Sequence, residues 1–188
     1  MCVSMHKVLE TSRLILREFV PGDADALARI ISDPETMRFY PAPFGRAEVE
    51  EWIARNIRRY RVNGCGLWAV DLRLTGEMIG DCGITFQEVD GEKLPEIGYH
   101  LRRDMWGHGF ATEAARACRD HGFAKLEADC LISLIRPENV ASCRVAERNG
   151  MTIWKETVRV GLRHYVYRIS REIWAALPAS DGSSVWPK

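Results

Sequence analysis

Residues 96–114 read EIGYHLRRDMWGHGFATEA, which joins a β-favouring run to a turn with two glycines and a helix-favouring stretch. The first run predicts a strand over 94–101, and the last stretch predicts a helix over 110–125. The first amides of a helix have no acceptor within it, and its dipole adds partial positive charge there. Because glycine lacks a Cβ, Gly107 and Gly109 let a bulky anion approach these amides. The segment therefore predicts a cradle for a phosphate or pyrophosphate group.

Two nucleotide-binding alternatives can be tested on the spacing of this turn. The dinucleotide fingerprint G-x-G-x-x-G needs a third glycine at position 112, which is Thr112 here. A Walker loop needs Gly-Lys followed by Ser or Thr, and this sequence does not contain it. The cradle is therefore of neither kind, and a plain strand-to-helix turn without a ligand stays open at this point.

The composition describes an ordinary folded chain of 188 residues, of which 46% are hydrophobic. We expect one domain over residues 1–177 and a polar tail over residues 178–188. The 26 basic residues balance the 26 acidic ones, which disfavours binding to nucleic acid or to an anionic membrane surface. The sequence contains no apolar run of about 18 residues, so it predicts no membrane span. The first ten residues lack the apolar core of a signal peptide, so we expect a cytoplasmic location.

The six cysteines are widely scattered, and none forms a Cys-x-x-Cys pair. This spacing argues against a zinc site and against dithiol redox chemistry. We therefore expect free thiols in a reducing compartment and no bound metal.

The whole chain predicts the element order β-α-α-β-β-β-α-β-α-β-β. The expected strands are Leu14–Phe19, Leu67–Asp71, Met78–Phe86, Leu94–Leu101, Leu131–Ile135, Thr152–Val160 and His164–Ile169. Asp23 is expected to cap the first helix, and Gly98 is expected to mark a bulge within its strand. The order predicts an α/β (α+β) fold, with a mixed sheet covered by helices on both faces.

Three motifs carry a resemblance to a known family. The stretch 96–114 resembles the acetyl-CoA motif of the GNAT superfamily of N-acetyltransferases, and NVASCRVAERNGM at 139–151 is similar to its second CoA motif. TSRLILR at 11–17 resembles the branch with the ribosomal-protein N-terminal acetyltransferases RimJ and RimL. The resemblance implies a mostly antiparallel sheet with one splayed parallel pair of strands. It also implies transfer of an acetyl group from acetyl-CoA to a primary amine.

The resemblance further implies how acetyl-CoA is held. The pantetheine arm would lie along the splayed strand like an added strand, bonded through main chain. The implied cofactor residues are Ile97, Gly98, Tyr99, Leu101, Trp106, Gly107, His108, Gly109, Phe110, Ala111, Thr112, Asn139 and Ser142. Trp106 replaces the family's Gln or Arg and carries no charge, so anion binding would rest on the main-chain amides of the turn. Arg102, Arg103 and His108 either help to bind the phosphates or belong to a solvated loop.

Acyl transfer to an amine needs a proton acceptor, an oxyanion donor and help for the leaving thiolate. Alternation places Glu96 and His100 on one face, and some relatives use a glutamate at the position of Glu96. Glu96 is therefore the first candidate base, ahead of His100 and of a water chain. The resemblance implies the Tyr99 amide as oxyanion donor. Many relatives use a tyrosine for the leaving sulfur, but Ala146 stands at that position. RimL-like members place a serine three residues after the asparagine, and Asn139 and Ser142 fit that spacing, so the resemblance implies Ser142 as hydrogen-bond donor to the sulfur. Alternatively, the Ser142 hydroxyl only hydrogen-bonds locally at the start of its helix, and Asn139 only caps that helix.

The acceptor is left open by the sequence. Aromatic candidates for its site, which are alternatively core residues, are Phe39, Tyr40, Trp52, Trp68, Phe86, Tyr165 and Tyr167. A protein N-terminus, a small-molecule amine and an aminoglycoside or amino-acid analogue all fit. The alternative outside the enzymes is a CoA-binding sensor without catalysis. The expected oligomeric state is either a monomer or a homodimer.

Overall fold

The structure is a computed structural model that describes residues 6–178. Its strands are β1 Lys7–Glu10, β2 Leu14–Arg17, β3 Leu67–Leu72, β4 Met78–Val89, β5 Glu92–Leu101, β6 Cys130–Ile135, β7 Thr152–Arg159 and β8 Leu162–Ser170. Its helices are α1 Ala24–Ile31, α2 Arg46–Asn63, α3 Phe110–Lys125, α4 Val140–Arg148 and α5 Arg171–Ala176. Short 3-10 turns lie at Pro21–Asp23 and Arg103–Met105.

The eight strands form one sheet in the order β1-β2-β3-β4-β5-β6-β8-β7. All neighbours are antiparallel except β5 and β6, which run parallel and share a single residue pair, Glu96 with Ile132. Beyond that pair, the Ser133 hydroxyl donates to the carbonyl oxygen of Ile97 at 2.9 Å. The expected mixed, mostly antiparallel sheet with a splayed parallel pair is confirmed.

Helices cover both faces of the sheet, as β3 shows by its alternation. Trp68 and Val70 point into the core that contains α3 and α4 residues, whereas Leu67 and Ala69 point into the core of α1 and α2. Both cores are largely aliphatic and nearly closed to solvent. The sheet therefore separates two packed layers, and the predicted helices on both faces are confirmed.

Two elements were missing from the expectation drawn from the sequence. The four-residue strand β1 pairs on one side only, with β2, so it depends on a tertiary partner rather than on its own pattern. The six-residue helix α5 is too short to show helical periodicity; the Ser170 side chain accepts a hydrogen bond from the Ile173 amide at its start. The predicted tail at 178–188 lies outside the described residues except for Pro178.

Two local expectations were wrong. Asp23 does not cap α1 with its side chain; its carboxylate instead accepts from the Arg17 guanidinium at 2.8 and 2.9 Å and from the Val20 amide at 2.9 Å. The carboxylate pairs with Arg17 because a buried guanidinium left without an opposite charge is more destabilising than an uncapped helix end. Gly98 marks no bulge, because β4 and β5 stay in continuous register through the pair of Gly83 with Gly98.

The described part of the chain contains no helix long and apolar enough to cross a membrane.

Candidate functional site

A cavity of about 670 Å³ opens where β5 and β6 separate. Its walls come from β5, the glycine turn, the starts of α3 and α4, the end of β6, the β7–β8 hairpin and the segment 35–41. The residues that the sequence predicted for catalysis or for the cofactor line this cavity, with the exception of His108, Arg102 and Arg103. The splay thus brings both predicted motifs to one space.

The glycine turn has the backbone that an anion cradle requires. Gly107 and Gly109 both adopt φ of 80°, in the left-handed region where a side chain is strained. Gly109 is the N-cap of α3, and the helix's first internal bond is donated by the Glu113 amide to the Gly109 carbonyl. The amides of residues 110–112 therefore have no acceptor within the helix, and these three residues line the cavity.

The side chains predicted to help at this turn, those of Arg102, Arg103 and His108, do not line the cavity. The His108 Nδ1 donates to the Trp106 carbonyl at 2.9 Å, and His108 is not among the residues that line the cavity. The Arg102 guanidinium pairs with Asp104 and Glu77, both at 2.6 Å, and neither Arg102 nor Arg103 lines the cavity. Other arginines do line it, among them Arg144 and Arg148 of α4. The sequence motif did not single them out because α4 packs beside α3 only in the folded chain.

A second contact missed by the sequence holds the glycine turn from outside. One Glu113 oxygen accepts from the Thr11 hydroxyl at 2.6 Å and from the Ser12 hydroxyl and the Arg13 amide at 3.0 Å, while the other accepts from Arg13 Nε at 2.6 Å. Arg13 also donates to the His108 carbonyl at 2.9 Å. We call the contacts of residues 11–13 with Glu113 and His108 the Glu113 clamp. Burial by itself raises the pKa of Glu113, but these donors outweigh it and lower that pKa.

Tyr99, Asn139 and Ser142 meet on the side of the sheet that faces α3 and α4. The Asn139 side chain accepts from the Ser142 amide at 3.2 Å and so caps α4, as predicted. The Tyr99 hydroxyl donates to the Ser142 carbonyl at 3.2 Å. This leaves the half-buried Ser142 hydroxyl at the cavity wall beside β5.

Glu96 and His100 lie on the opposite face of β5, where the sequence pattern placed them. The Glu96 carboxylate accepts from the Leu134 amide at 3.2 Å and lines the cavity. Burial raises the pKa of Glu96, and the hydrogen bond from Leu134 and the charge of Arg159 oppose this rise only in part. A carboxyl with a raised pKa is a better proton acceptor than an ordinary exposed one.

His100 is the centre of a hydrogen-bonded chain that reaches the cavity. Its Nδ1 lies 2.7 Å from an oxygen of the fully buried Asp81, and its Nε2 lies 2.8 Å from the Tyr40 hydroxyl. The Trp52 indole donates to the other Asp81 oxygen at 3.0 Å. Asp81 could not be found from the sequence motif, because it lies on β4, directly across from His100.

The aromatic candidates for the acceptor site divide into two groups. Phe39 and Tyr40 line the cavity. The others belong to or pack against the cores or support Asp81, and they are Trp52, Trp68, Phe86, Tyr165 and Tyr167. Arg136 and Arg159 also line the cavity. The charge of Arg159 acts on Glu96, and Arg159 donates to the Gln87 side chain at 2.9 Å. Within residues 6–178, no group of three or more metal-binding side chains comes together.

Comparison with known proteins gives the family. The family profile described as the acetyltransferase (GNAT) domain matches residues 13–152. The uncharacterized protein YkkB of Bacillus subtilis (strain 168) is 38% identical over 152 residues, which cover 80% of this chain and 88% of YkkB. An acetyltransferase structure from Agrobacterium tumefaciens str. C58 is 30% identical with a TM-score of 0.76, covering 91% of this chain and 96% of that one.

The fold is also shared with more distant solved structures. One is RimL, the ribosomal L7/L12 alpha-N-protein acetyltransferase, in complex with coenzyme A. It is 18% identical with a TM-score of 0.65, and the match covers 86% of this chain and 98% of that chain. With a matching profile that spans both motifs and the splayed strands between them, the chain belongs to the GNAT family of acetyltransferases.

Proposed function

We propose that this protein transfers the acetyl group of acetyl-CoA to a primary amine, with attack of the amine directly on the thioester. The observation that carries the proposal is the single cavity that joins the anion cradle, the splayed edge of β5 and the carboxylate of Glu96. The cradle amides fit a pyrophosphate, the unpaired edge of β5 fits the amides of pantetheine, and Glu96 fits a cationic amine. The RimL complex with coenzyme A supports the same use of this fold.

Glu96 is proposed to receive the first proton of the amine. An alkyl ammonium has no lone pair, so it must lose a proton before it attacks a thioester. Glu96 lies in the cavity on the face of β5 opposite Tyr99 and Ser142, so an amine there approaches the thioester from the other side. Its raised pKa favours acceptance of that proton.

Ser142 and the Tyr99 amide are proposed to serve the other end of the reaction. The Tyr99 amide would donate to the carbonyl oxygen as negative charge develops on it. The Ser142 hydroxyl would donate to the departing sulfur, and the capping contact of Asn139 with the Ser142 amide fixes that residue at the start of α4. Thiolates leave readily, so this second contribution is expected to be the smaller one.

The experiment is acetyl-CoA turnover with free-thiol detection across small amines, amino acids, aminoglycosides and short peptides with free N-termini. Glu96→Gln should lower the rate at neutral pH by about 10²–10⁴-fold, with partial recovery at high pH where more amine is already neutral. Ser142→Ala should lower it only about 10-fold, the effect of one modest hydrogen bond, without recovery at high pH.

The arms of this panel separate the possible acceptors. Preference for peptides supports a protein N-terminus as the acceptor, and preference for free amines supports a small-molecule substrate. Tight acetyl-CoA binding without transfer to any amine would support a CoA sensor and contradict catalysis. A full rate for Glu96→Gln across the pH range would show that the first proton goes elsewhere.

A further inference from the structure

Asp81, His100 and Tyr40 form a continuous chain of hydrogen bonds from the core to the cavity. Asp81 is fully buried and His100 is 8% exposed, whereas Tyr40 lines the cavity and is 42% exposed. The three residues come from β4, from β5 and from the loop between α1 and α2. The chain therefore connects a fully buried carboxylate to a residue that lines the cavity.

The hydrogen bonds of Asp81 fix the direction of the chain. One Asp81 oxygen receives both the His100 amide at 3.1 Å and the His100 ring at 2.7 Å, so the neutral ring carries its proton on Nδ1. Nε2 then presents a lone pair to the Tyr40 hydroxyl at 2.8 Å. The Tyr40 hydroxyl consequently donates to His100, and its remaining lone pairs are available to a donor in the cavity.

We propose that Tyr40 is a further catalytic residue of this site, and that Asp81 and His100 make it a proton acceptor. The inference rests on the proposed acetyl transfer. After attack, the nitrogen of the tetrahedral adduct carries a positive charge and one proton too many. Its N–H bond breaks as a new O–H bond forms on Tyr40, while the original Tyr40 proton passes to His100 Nε2. His100 becomes an imidazolium beside Asp81, and it returns the proton to solvent through Tyr40.

This assignment gives the two protons of the amine different destinations. Glu96 would receive the proton of the incoming ammonium, and Tyr40 would receive the one released after attack. Both groups line the same cavity, and both lie on the face of β5 away from Tyr99 and Ser142. The two roles are therefore separable by substitution.

The surroundings of His100 suit a receiver of protons. Burial by itself lowers the pKa of His100, but the charge and hydrogen bond of Asp81 and the charge of Glu96 outweigh it, so that pKa is raised. The groups that face the ring are Asp81, Glu96, Tyr40 and the edge-on indole of Trp52. The pKa of Tyr40 is also raised, because its hydroxyl is buried against His100 even though part of the side chain is exposed, and because Glu96 and Asp81 lie nearby, so the hydroxyl stays neutral.

The kinetic test compares Tyr40→Phe, His100→Gln and Asp81→Asn with the matched control Tyr165→Phe, a tyrosine outside the cavity lining. Tyr40→Phe should lower kcat about 10²-fold, the lower end for a lost proton-transfer group, with an unchanged KM for acetyl-CoA. Asp81→Asn should move the acidic limb of the pH profile to lower pH, because it removes the charge that raises the pKa of His100. A purely structural role for Asp81 would lower activity without moving that limb.

A second readout does not depend on the acceptor. Ring-proton NMR of the full chain follows the titration of the five histidines, and His100→Gln identifies the His100 signal. Asp81→Asn should lower the pKa of His100, and Tyr40→Phe should change its titration as well. A His100 titration that is unaffected by both substitutions would overturn the chain itself.

The outcomes separate this inference from the proposed function. Wild-type transfer together with a full rate and an unchanged pH profile in Tyr40→Phe would overturn the role of Tyr40 alone. Failure of the wild-type protein to bind acetyl-CoA or to acetylate any amine would overturn the proposed function, and the role of Tyr40 with it.

Discussion

Gly109 meets two separate requirements at one position. Its φ of 80° starts α3 from a left-handed conformation, and its missing side chain leaves room beside Arg13, whose Nη2 atom would lie 3.6 Å from an added Cβ. The first requirement recurs wherever a glycine with positive φ begins or ends an element, whereas the second belongs to the turn that forms the proposed cradle. A substitution with a matched control can therefore separate backbone strain from the loss of the cradle.

Gly109→Val should weaken acetyl-CoA binding by about 1–3 kcal/mol, because a branched side chain at this positive φ, beside Arg13, would displace the helix amides that are proposed to make charge-assisted bonds. Gly76→Val is the control, since Gly76 has φ of 70° in open space at the β3–β4 turn and does not line the cavity. Calorimetry with acetyl-CoA, CoA and a nicotinamide dinucleotide measures the effect. Equal affinity in a folded Gly109→Val protein, or tight dinucleotide binding by the wild type, would contradict the cradle.

At the scale of single residues, the sequence predicted what depends on neighbouring residues along the chain. The turn at Gly107–Gly109 and the Asn139 cap follow from local backbone rules, and both have the expected conformation. Asp81 and Arg159 reach the site through strand pairing and hairpin packing, which leave no local pattern. Tyr40 was one of seven possible aromatics, and only its contact with His100 distinguishes it.

The helix α3 shows how an element is fixed from both sides. Its predicted limits, 110–125, agree with the structure because its glycine turn gives a sharp local start. The Glu113 clamp then ties its first turn to the segment before β2. That contact spans about a hundred residues of sequence, so it was not predictable from either motif alone.

Glu113→Gln should lower the free energy of unfolding by about 1–2 kcal/mol, because it removes the charge from bonds to Arg13, Thr11 and Ser12. The pKa of Glu113 is lowered in the folded state. Its stabilisation is therefore present above the ordinary pKa of 4.5 and is lost as pH falls through the lower, folded value. Urea unfolding at pH 7 and at pH 3 should show a difference between wild type and variant that shrinks in acid.

Glu156→Gln is the matched control for the clamp. Glu156 pairs with Arg163 at 2.5 and 2.7 Å on an exposed strand, where solvent screens the pair, so its loss should leave stability nearly unchanged. Equal effects of the two substitutions would show that the Glu113 clamp is no stronger than a surface ion pair.

At the scale of the whole molecule, the sheet consists of two parts joined by one parallel residue pair. Strands β1–β5 form one antiparallel part and β6–β8 the other, and Glu96 with Ile132 links them. The family resemblance predicted this separation. The residue pattern alone predicted only a mixed sheet, because periodicity shows which face a side chain occupies and not how far apart two strands run.

Binding of acetyl-CoA should therefore stabilise the sheet where it is incomplete. Hydrogen exchange of β5 amides between residues 97 and 101 should slow on binding, because pantetheine would pair with that edge. At about 100 times Kd, the ligand should add roughly 2.7 kcal/mol to the free energy of unfolding. Exchange that slows only at α3 and not on β5 would place the pantetheine arm elsewhere.

The separation of β5 from β6 also sets an order of events in the proposed reaction. The cavity between them serves both reactants, so an amine that arrives first meets a wide trench with no thioester in it. With pantetheine in the gap, the remaining space would be a narrower compartment with the acetyl group as its inner wall. In the proposed reaction acetyl-CoA would therefore bind first and CoA would leave last, because the bound cofactor would form part of the binding site for the amine.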